Sequence, residues 1–237
     1  MKPTDTAFFH ECEVKFRIPS EHAYEAWERR LRSIGFERSG RQLESDFIPD
    51  TEDFACRAHG LMLRFRHIQT EDGLQDIIVT IKLKGSAKTF QERFEYEFAF
   101  SAVDEAMFAR MNQLLLDATG RALPADLLQF RPDQYAELCA AVSAIFPALR
   151  IRIEKKRTIY SYDIYHALFD SLPVGMGDYL ELEAPSPTAL QMLLQALLID
   201  EDHQTAQDYG ELLINHHAEK IGAAQRTALF LAHERTI

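Results

Sequence analysis

The chain has 237 residues, 46% hydrophobic and 27% charged, a composition that can bury a core and fits one large domain or a domain with an appendage. Its net charge of -11 argues against a nucleic-acid or anionic-membrane surface, although a small anion can still bind where the charge inside a cleft opposes the global sign. No apolar run reaches the length of a membrane span, Met1 to Thr6 lack the apolar core of a signal peptide, and Cys12, Cys56 and Cys139 suit reduced thiols in a cytoplasm.

Phe9 to Ile18 reads as a strand. Glu11, Glu13, Lys15 and Arg17 share one face, and His10, Cys12, Val14, Phe16 and Ile18 share the other, because successive strand residues point to opposite sides. Ser20 is placed to cap a helix over about 21–34, with Ala23, Tyr24, Trp27, Leu31 and Ile34 as its stripe and Gly35 at its end. Residues 42–48 read as a second strand and 49–60 as a polar connection. In Leu61 to His67, Arg64 and Arg66 oppose Leu63 and Phe65. The Glu71-Asp72-Gly73 turn leads to 77–84, where Ile77, Val79, Ile81 and Leu83 alternate with Thr80, Lys82 and Lys84. Residues 90–100 repeat the alternation, with Arg93, Glu95 and Glu97 on the polar side. Three such strands with short links predict an antiparallel meander.

The stretch 101–148 reads as a helical insertion. Ser101 to Asp104 has the form of a capping signal, Gly120 ends the first helix, Pro132 opens the second and Pro147 closes it. Strands resume at 149–162, where Ile151, Ile153, Lys155, Arg157 and Ile159 share a face, and continue at 165–170 and 179–183. Ser186-Pro187 starts another helix. Residues 204–233 read as mostly helical, with Tyr209, Leu212 and Leu213 as apolar contacts within a C-terminal helical segment at about 204–237. The leucine-rich stripes at 187–198 and 205–214 suit core packing or a homodimer face.

One charged strand face is explained by solvent, but the pattern recurs in strand after strand. The same-face bases are Lys15, Arg17, Arg64, Arg66, Lys82, Lys84, Arg93, Lys155 and Arg157. The same-face acids are Glu11, Glu13, Glu95, Glu97, Glu181 and Glu183. That is nine against six, opposite in sign to the whole chain. A sheet closed into a barrel would gather them around one channel. Glu11 with Glu13, and Glu181 with Glu183, repel unless a cation lies between them. Mg2+ and Mn2+ take carboxylate and phosphate oxygens alike, and Lys and Arg supply phosphate donors. By contrast, Cys56-x-x-His59 has no second pair of zinc-site spacing and reads as an incidental loop. His216-His217 and Lys220 read as surface residues, and there is neither a GxxxxGK[ST] phosphate loop nor a nucleophile elbow.

In order, Glu11-x-Glu13-x-Lys15, Leu63-Arg64-Phe65-Arg66, Lys82-Leu83-Lys84-Gly85, Arg93-Phe94-Glu95-Tyr96-Glu97, Lys155-Lys156-Arg157, Asp170 with Gly177 to Glu183, and Asp208-Tyr209-Gly210-Glu211-Leu212-Leu213 are similar to the signature elements of the CYTH domain, or triphosphate tunnel metalloenzyme, family. The resemblance runs from about 9 to 213. It implies an α+β fold over 1–237 as one domain: a closed eight-stranded antiparallel tunnel with a charged interior and helices outside. It implies Mg2+ or Mn2+ held by Glu11, Glu13, Glu181 and Glu183, aided by Asp170. It also implies a small-molecule triphosphate gripped by Lys15, Arg64, Arg66, Lys82 or Lys84, Arg93, Lys155 and Arg157, with Glu11, Glu13, Lys15, Lys155 and Arg157 as the catalytic set. The expected activity is metal-dependent hydrolysis of inorganic, thiamine or nucleoside triphosphate. The alternatives are a class IV type of adenylate cyclase and a non-catalytic polyphosphate-binding module. Departures from the pattern are the long 101–148 region, Met176 before Gly177, and the tail beyond 214.

Overall fold

A computed structural model of the protein describes residues 9–84, 91–102, 104–199, 201–221 and 226–237; the side chains of 9–11, 84, 91–94, 201 and 218–221 also lie outside the described set. Glu11, Lys84, Arg93 and Lys220 are therefore placed by their backbones alone, and Gly85 to Phe90 lie outside the described residues.

The alternation in the sequence becomes a two-faced sheet. In β1 (Phe9–Ile18), Cys12, Val14, Phe16 and Ile18 are buried on the outer face, beneath helices, while Glu13 and Lys15 are buried on the other face. Helix α1 (Glu21–Ser33) follows, and the Ser20 hydroxyl accepts from the Ala23 N–H at 3.2 Å. Its stripe buries Trp27 and Leu31. Strand β2 (Glu37–Asp50) is longer than the expected 42–48. After the single turn α2 (Ala55–Ala58), β3 (Leu61–Thr70), β4 (Gln75–Lys84) and β5 (Gln91–Ala99) form the expected meander.

The region after β5 corrects the expected cap. Asp104, not Ser101, caps α3 (Glu105–Thr119): its Oδ1 accepts from the Met107 N–H at 2.9 Å. Ser101 instead donates to Asp76 on β4, so the polar group nearer the helix takes the capping role. Pro132 opens a 3-10 turn that leads into α4 (Tyr135–Ser143). Both helices cover the outer faces of β3 and β4, where Leu63, Phe65, Ile77, Val79 and Ile81 pack with Met111, Leu115 and Leu138. The Tyr135 hydroxyl fastens α4 to two strands by donating to the Ser45 and Phe65 carbonyls at 2.7 and 2.9 Å.

Strands β6 (Ala148–Tyr162), β7 (Tyr165–Leu172) and β8 (Gly177–Ala184) complete the long strands, and α5 (Pro187–Leu197) packs with α1 over β1 and β8. Among the described residues the sheet has ten strands; the eight long ones run β6-β2-β3-β4-β5-β1-β8-β7, and β6 also pairs with β7. The resemblance implied eight; the two added strands are β9 (Gln204–Thr205), on β1, and β10 (Thr227–Ala228), on β6.

The last stretch also departs from the mostly helical expectation. Among the described residues of that stretch, only α6 (Tyr209–Ile221) is an α-helix. Asp208 and Glu211 fix its start reciprocally: the Glu211 N–H donates to Asp208 Oδ1 at 2.8 Å, and the Asp208 N–H donates to Glu211 Oε2 at 3.2 Å. Past it the chain is captured as a strand. Strand β7 pairs with β6 only from Lys156 onward, and β10 takes part of the remaining edge at Arg152 and Ile153.

Helix α6 approaches β6 closely enough to need a glycine. A Cβ on Gly210 would lie 2.8 Å from Ile151 Cγ1 and 3.1 Å from Asp208 Oδ1. Gly210→Ala is expected to destabilise the protein by about 1–3 kcal/mol through overpacking. Thermal denaturation should show a Tm lower by roughly 2–10 °C; an unchanged Tm would mean that α6 shifts without cost.

Candidate active site

Strands β1 and β8 lie side by side, with Glu13 opposite Glu183 and Lys15 opposite Glu181. Period two sends these side chains to the inner face, and the register brings together carboxylates from the two ends of the chain. Glu13, Glu181 and Glu183 each offer an oxygen within 4.8 Å of the others, the one such metal-compatible group among the described residues. Glu13 and Glu181 are buried and Glu183 is half-buried. Among the described residues, Glu181 Oε2 accepts no hydrogen bond; Lys15 Nζ and Arg157 stand 3.6 Å from it. Burial alone would raise the Glu181 carboxyl, but Lys15, Arg157, Lys155 and Lys82 together hold it well below the usual carboxylate range.

The opposite wall is a web of buried ion pairs. Arg66 makes a bidentate contact with Asp46 at 2.6 and 2.8 Å and meets Glu44 at 3.0 Å. Arg157 grips Asp170 at 2.7 and 2.6 Å. Lys155 lies between Glu44, at 3.0 Å, and Asp170, at 3.5 Å. Arg64 reaches Thr80 at 3.1 Å and Glu97 at 3.4 Å, and Lys82 pairs with Glu95. Burial would raise Glu44, yet Arg157, Arg66 and Lys155 hold it well below its ordinary value. Burial lowers the Lys155 ammonium and Arg157 lowers it further, against the pull of Asp170 and Glu44.

Tyr209 joins the two walls. Its hydroxyl donates to Asp170 Oδ2 at 2.6 Å, while Lys15 Nζ lies 4.0 Å and Lys155 Nζ 5.0 Å from its ring centroid. The Tyr209 ring thus takes one lysine from each wall against its π system.

All of these residues except Glu44, Thr80 and Asp170 line one cavity of about 710 Å³. It brings together Glu13, Lys15, Arg64, Arg66, Lys82, Lys155, Arg157, Glu181 and Glu183 from the expected set. Asp170 is committed to Arg157, Lys155 and Tyr209 and is not one of the clustered carboxylates. Arg17 is exposed and is not among the residues that line the cavity. Glu11 and Arg93 pair in register across β1 and β5. Cys56 is fully buried and the His59 ring bonds the Ala55 carbonyl. Burial pushes the Cys56 thiol up to about 12.

Sequence reasoning passed over three contributors. Glu44 and Asp46 on β2 were not counted among the inner acids, although they keep step in period two. With them, each described inner base has a carboxylate within 4.0 Å, so the excess of bases in the sequence count is locally balanced. Tyr209 read as an apolar contact; its position beside a capping Asp at a helix start was the available signal.

The CYTH domain profile matches residues 10–193. A search of curated proteins found no match. Among solved structures, the PH1012 protein from Pyrococcus horikoshii is 18% identical, with 85% of this chain and 98% of that chain covered and a TM-score of 0.56. A candidate adenylate cyclase from Vibrio parahaemolyticus is 19% identical over 86% and 98%, with a TM-score of 0.53. A candidate adenylyl cyclase from Hippeastrum, described as revealing a dominant triphosphatase activity, is 15% identical over 84% and 92%, with a TM-score of 0.51. At these identities the structures share a fold with this chain. The profile spans most of the sequence, including six of the seven ordered elements, and the chain belongs to the CYTH domain family.

Proposed function

We propose that the protein hydrolyses a triphosphate with the help of a divalent cation. The observation that carries this reading is the three-carboxylate cluster in the same cavity as six buried bases. We also infer that the eight long strands act as a closed tunnel, a reading supported by the pairing of β6 with both β2 and β7.

The acid cluster fits Mg2+ or Mn2+ chemically: its donors are hard oxygens from three buried or half-buried carboxylates, one of them with an oxygen that accepts no hydrogen bond among the described residues. Glu13, Glu181 and Glu183 would hold the cation, with Glu11 next in line on the same strand face. A bound cation supplies charge neutralisation and Lewis-acid polarisation.

The rest follows from the chain's own side chains. Lys15, Arg64, Arg66, Lys82, Lys155 and Arg157 surround the phosphates, with Arg93 and Lys84 as additional donors. Most inner bases already share a carboxylate, so an entering phosphate competes with a partner held in place rather than with bulk water. Tyr209 takes Lys15 and Lys155 against its ring, one from each wall of the cavity. In hydrolysis a water oxygen bonds to the terminal phosphorus as the bridging P–O bond breaks and diphosphate, or its organic ester, departs. Fixed donors around that phosphorus stabilise the charge that develops without reorganising.

The neighbouring structures carry both chemistries in their descriptions, so the shared fold does not choose between hydrolysis and cyclisation. The cavity lining favours hydrolysis. Its aromatic rings among the described residues are Tyr209 and His166, and the Tyr209 ring is covered by two lysines. That leaves little ring surface on which to orient a purine for ribose attack. The test is incubation with Mg2+ or Mn2+ and inorganic triphosphate, thiamine triphosphate or ATP, followed by assay of phosphate, diphosphate and cyclic AMP. Phosphate release is expected. Cyclic AMP with diphosphate would replace this reading by the cyclase, and binding without turnover would replace it by the binding module.

A further inference from the structure

Beyond the acid cluster and the inner bases, the cavity has a rim that none of the ordered sequence elements contains. Arg57, Arg150 and Arg226 all line it. They come from three separate elements: α2, the start of β6, and the tail beside β10. We propose that this rim is a second anion subsite, which takes a phosphate beyond the three gripped inside, so that the preferred substrate is a linear oligophosphate longer than triphosphate. The inference rests on the hydrolase reading for its substrate class.

Charge balance is the first argument. Each described inner base has a carboxylate within 4.0 Å, but at the rim the nearest such contact is Arg150 with Asp50, at 3.8 Å. Asp50 is itself occupied: its carboxylate accepts from the backbone N–H groups of Thr51, Cys56 and Arg57 at 2.8, 2.9 and 3.2 Å. Among the described residues, no carboxylate lies within 4.0 Å of the Arg57 or Arg226 guanidinium. Asp208 and Glu211 also line the cavity, and Asp208 acts on Arg150 from beyond 4.0 Å, but each of these two acids accepts the other's backbone N–H at the start of α6, so the three guanidiniums keep capacity for an anion, and guanidinium is the side chain best shaped for phosphate oxygens.

The second argument is that the rim is built. Arg226 is half-buried, its Nη1 donates to the Leu149 carbonyl at 3.2 Å, and its guanidinium lies 5.1 Å from the Phe54 ring centroid. Phe54 holds a left-handed backbone at φ 57, an uncommon conformation for a bulky residue. The tail that carries Arg226 is fastened by the Arg226 carbonyl accepting from the Arg152 N–H at 2.8 Å, by the Phe230 N–H donating to Glu154 at 2.8 Å, and by the Arg235–Glu154 pair at 2.9 Å. The family match ends at 193, so the side chain that completes the rim belongs to a part of the chain outside it.

The third argument is reach. Along β6 Arg150 lies five residues from Lys155, roughly 16 Å of extended strand. Ile151 and Ile153 on β6, with Ile48 on β2, also line the cavity, and the start of α6 packs on Ile151 through Gly210. Even with long side chains folding back, that separation favours a ligand with more than three phosphates in line.

The test compares kcat/KM for inorganic triphosphate, tetraphosphate and a longer linear polyphosphate, and for ATP against adenosine tetraphosphate, in wild type, Arg226→Gln and Arg57→Gln. The wild type should prefer the longer chains, and each variant should lower the tetraphosphate-to-triphosphate ratio about tenfold, through KM. Arg57 is exposed, so its variant is expected to fold even if that of Arg226 does not. Preference for adenosine tetraphosphate over ATP would assign the extra phosphate to an organic substrate; preference among inorganic chains alone would assign it to the free chain. Equal losses on all substrates, or an unchanged ratio, would overturn the proposal. If the wild type turns over none of them, calorimetric titration with triphosphate and tetraphosphate decides separately: tighter tetraphosphate binding that Arg57→Gln removes supports the rim, and equal affinity overturns it.

Discussion

Glu183→Gln is expected to leave the protein folded and to reduce triphosphate turnover by about 10²–10³-fold at fixed Mg2+, roughly 3–4 kcal/mol in the barrier. Glu183 is the most accessible of the three clustered acids and lies directly opposite Glu13 in the β1–β8 register. The amide keeps the size of the side chain while removing one of three charges, so a cation held there loses a hard anionic donor. Two further measurements separate this role from a structural one. Mn2+ affinity, read by electron paramagnetic resonance without substrate, should fall with activity, and excess Mn2+ should restore part of the turnover. The Tm should stay within about 2 °C of wild type, because the amide keeps the size of a side chain that is only half-buried. Full activity in the variant, or lost activity with unaltered Mn2+ affinity, would remove the cation role from this cluster. Glu13→Gln is the companion variant, with a similar loss expected.

The extent to which this site could be read from the chain follows from the physics of strands. Glu13, Lys15, Arg64, Arg66, Lys82, Lys155 and Arg157 were legible because period-two alternation leaves a mark in the sequence wherever one face is apolar and packed beneath helices. Glu44 and Asp46 keep the same period, but Ser45 and Gln42 beside them resemble an ordinary polar strand. What distinguishes them is the partner across the sheet, Lys155 for Glu44 and Arg66 for Asp46, and pairing between distant strands is not written locally. Tyr209 was hidden for a different reason. In a helix, an apolar body and a polar tip give the same hydropathy, and only the tertiary fold shows which end meets Asp170. The tail misled because its propensity is helical while an open stretch of β6 edge was available to capture Thr227 and Ala228. Local preference lost there to unsatisfied backbone groups.

Glu44→Gln tests the hidden half of the site. Glu44 is buried among Arg66, Lys155 and Arg157 at 3.0, 3.0 and 3.6 Å, and its amide analogue would leave those three buried cations with Asp46, Asp170 and, for Arg157, Glu181 at 3.6 Å. Removing one partner from a buried ion network costs about 3–5 kcal/mol, so a Tm lower by roughly 6–20 °C is expected. The pH dependence identifies the cause. The folded state holds Glu44 well below the unfolded carboxyl value of about 4.3. Between those two values the unfolded chain binds more protons than the folded one, so stability rises with pH. The contribution is fully present above about pH 5 and is lost as pH falls from there toward the depressed folded value. Urea denaturation of wild type and variant at pH 7, 5, 4 and 3 should therefore show a difference in stability that is constant from 7 to 5 and narrows below 4. Asp46, also held low by Arg66 against its burial, titrates in both proteins and largely cancels from the difference. A gap that stays constant down to pH 3 would mean that Glu44 acts through its shape and hydrogen bonds rather than through its charge. A gap that closes would identify it as the counter-charge that keeps Lys155, Arg66 and Arg157 folded inward while no phosphate is present.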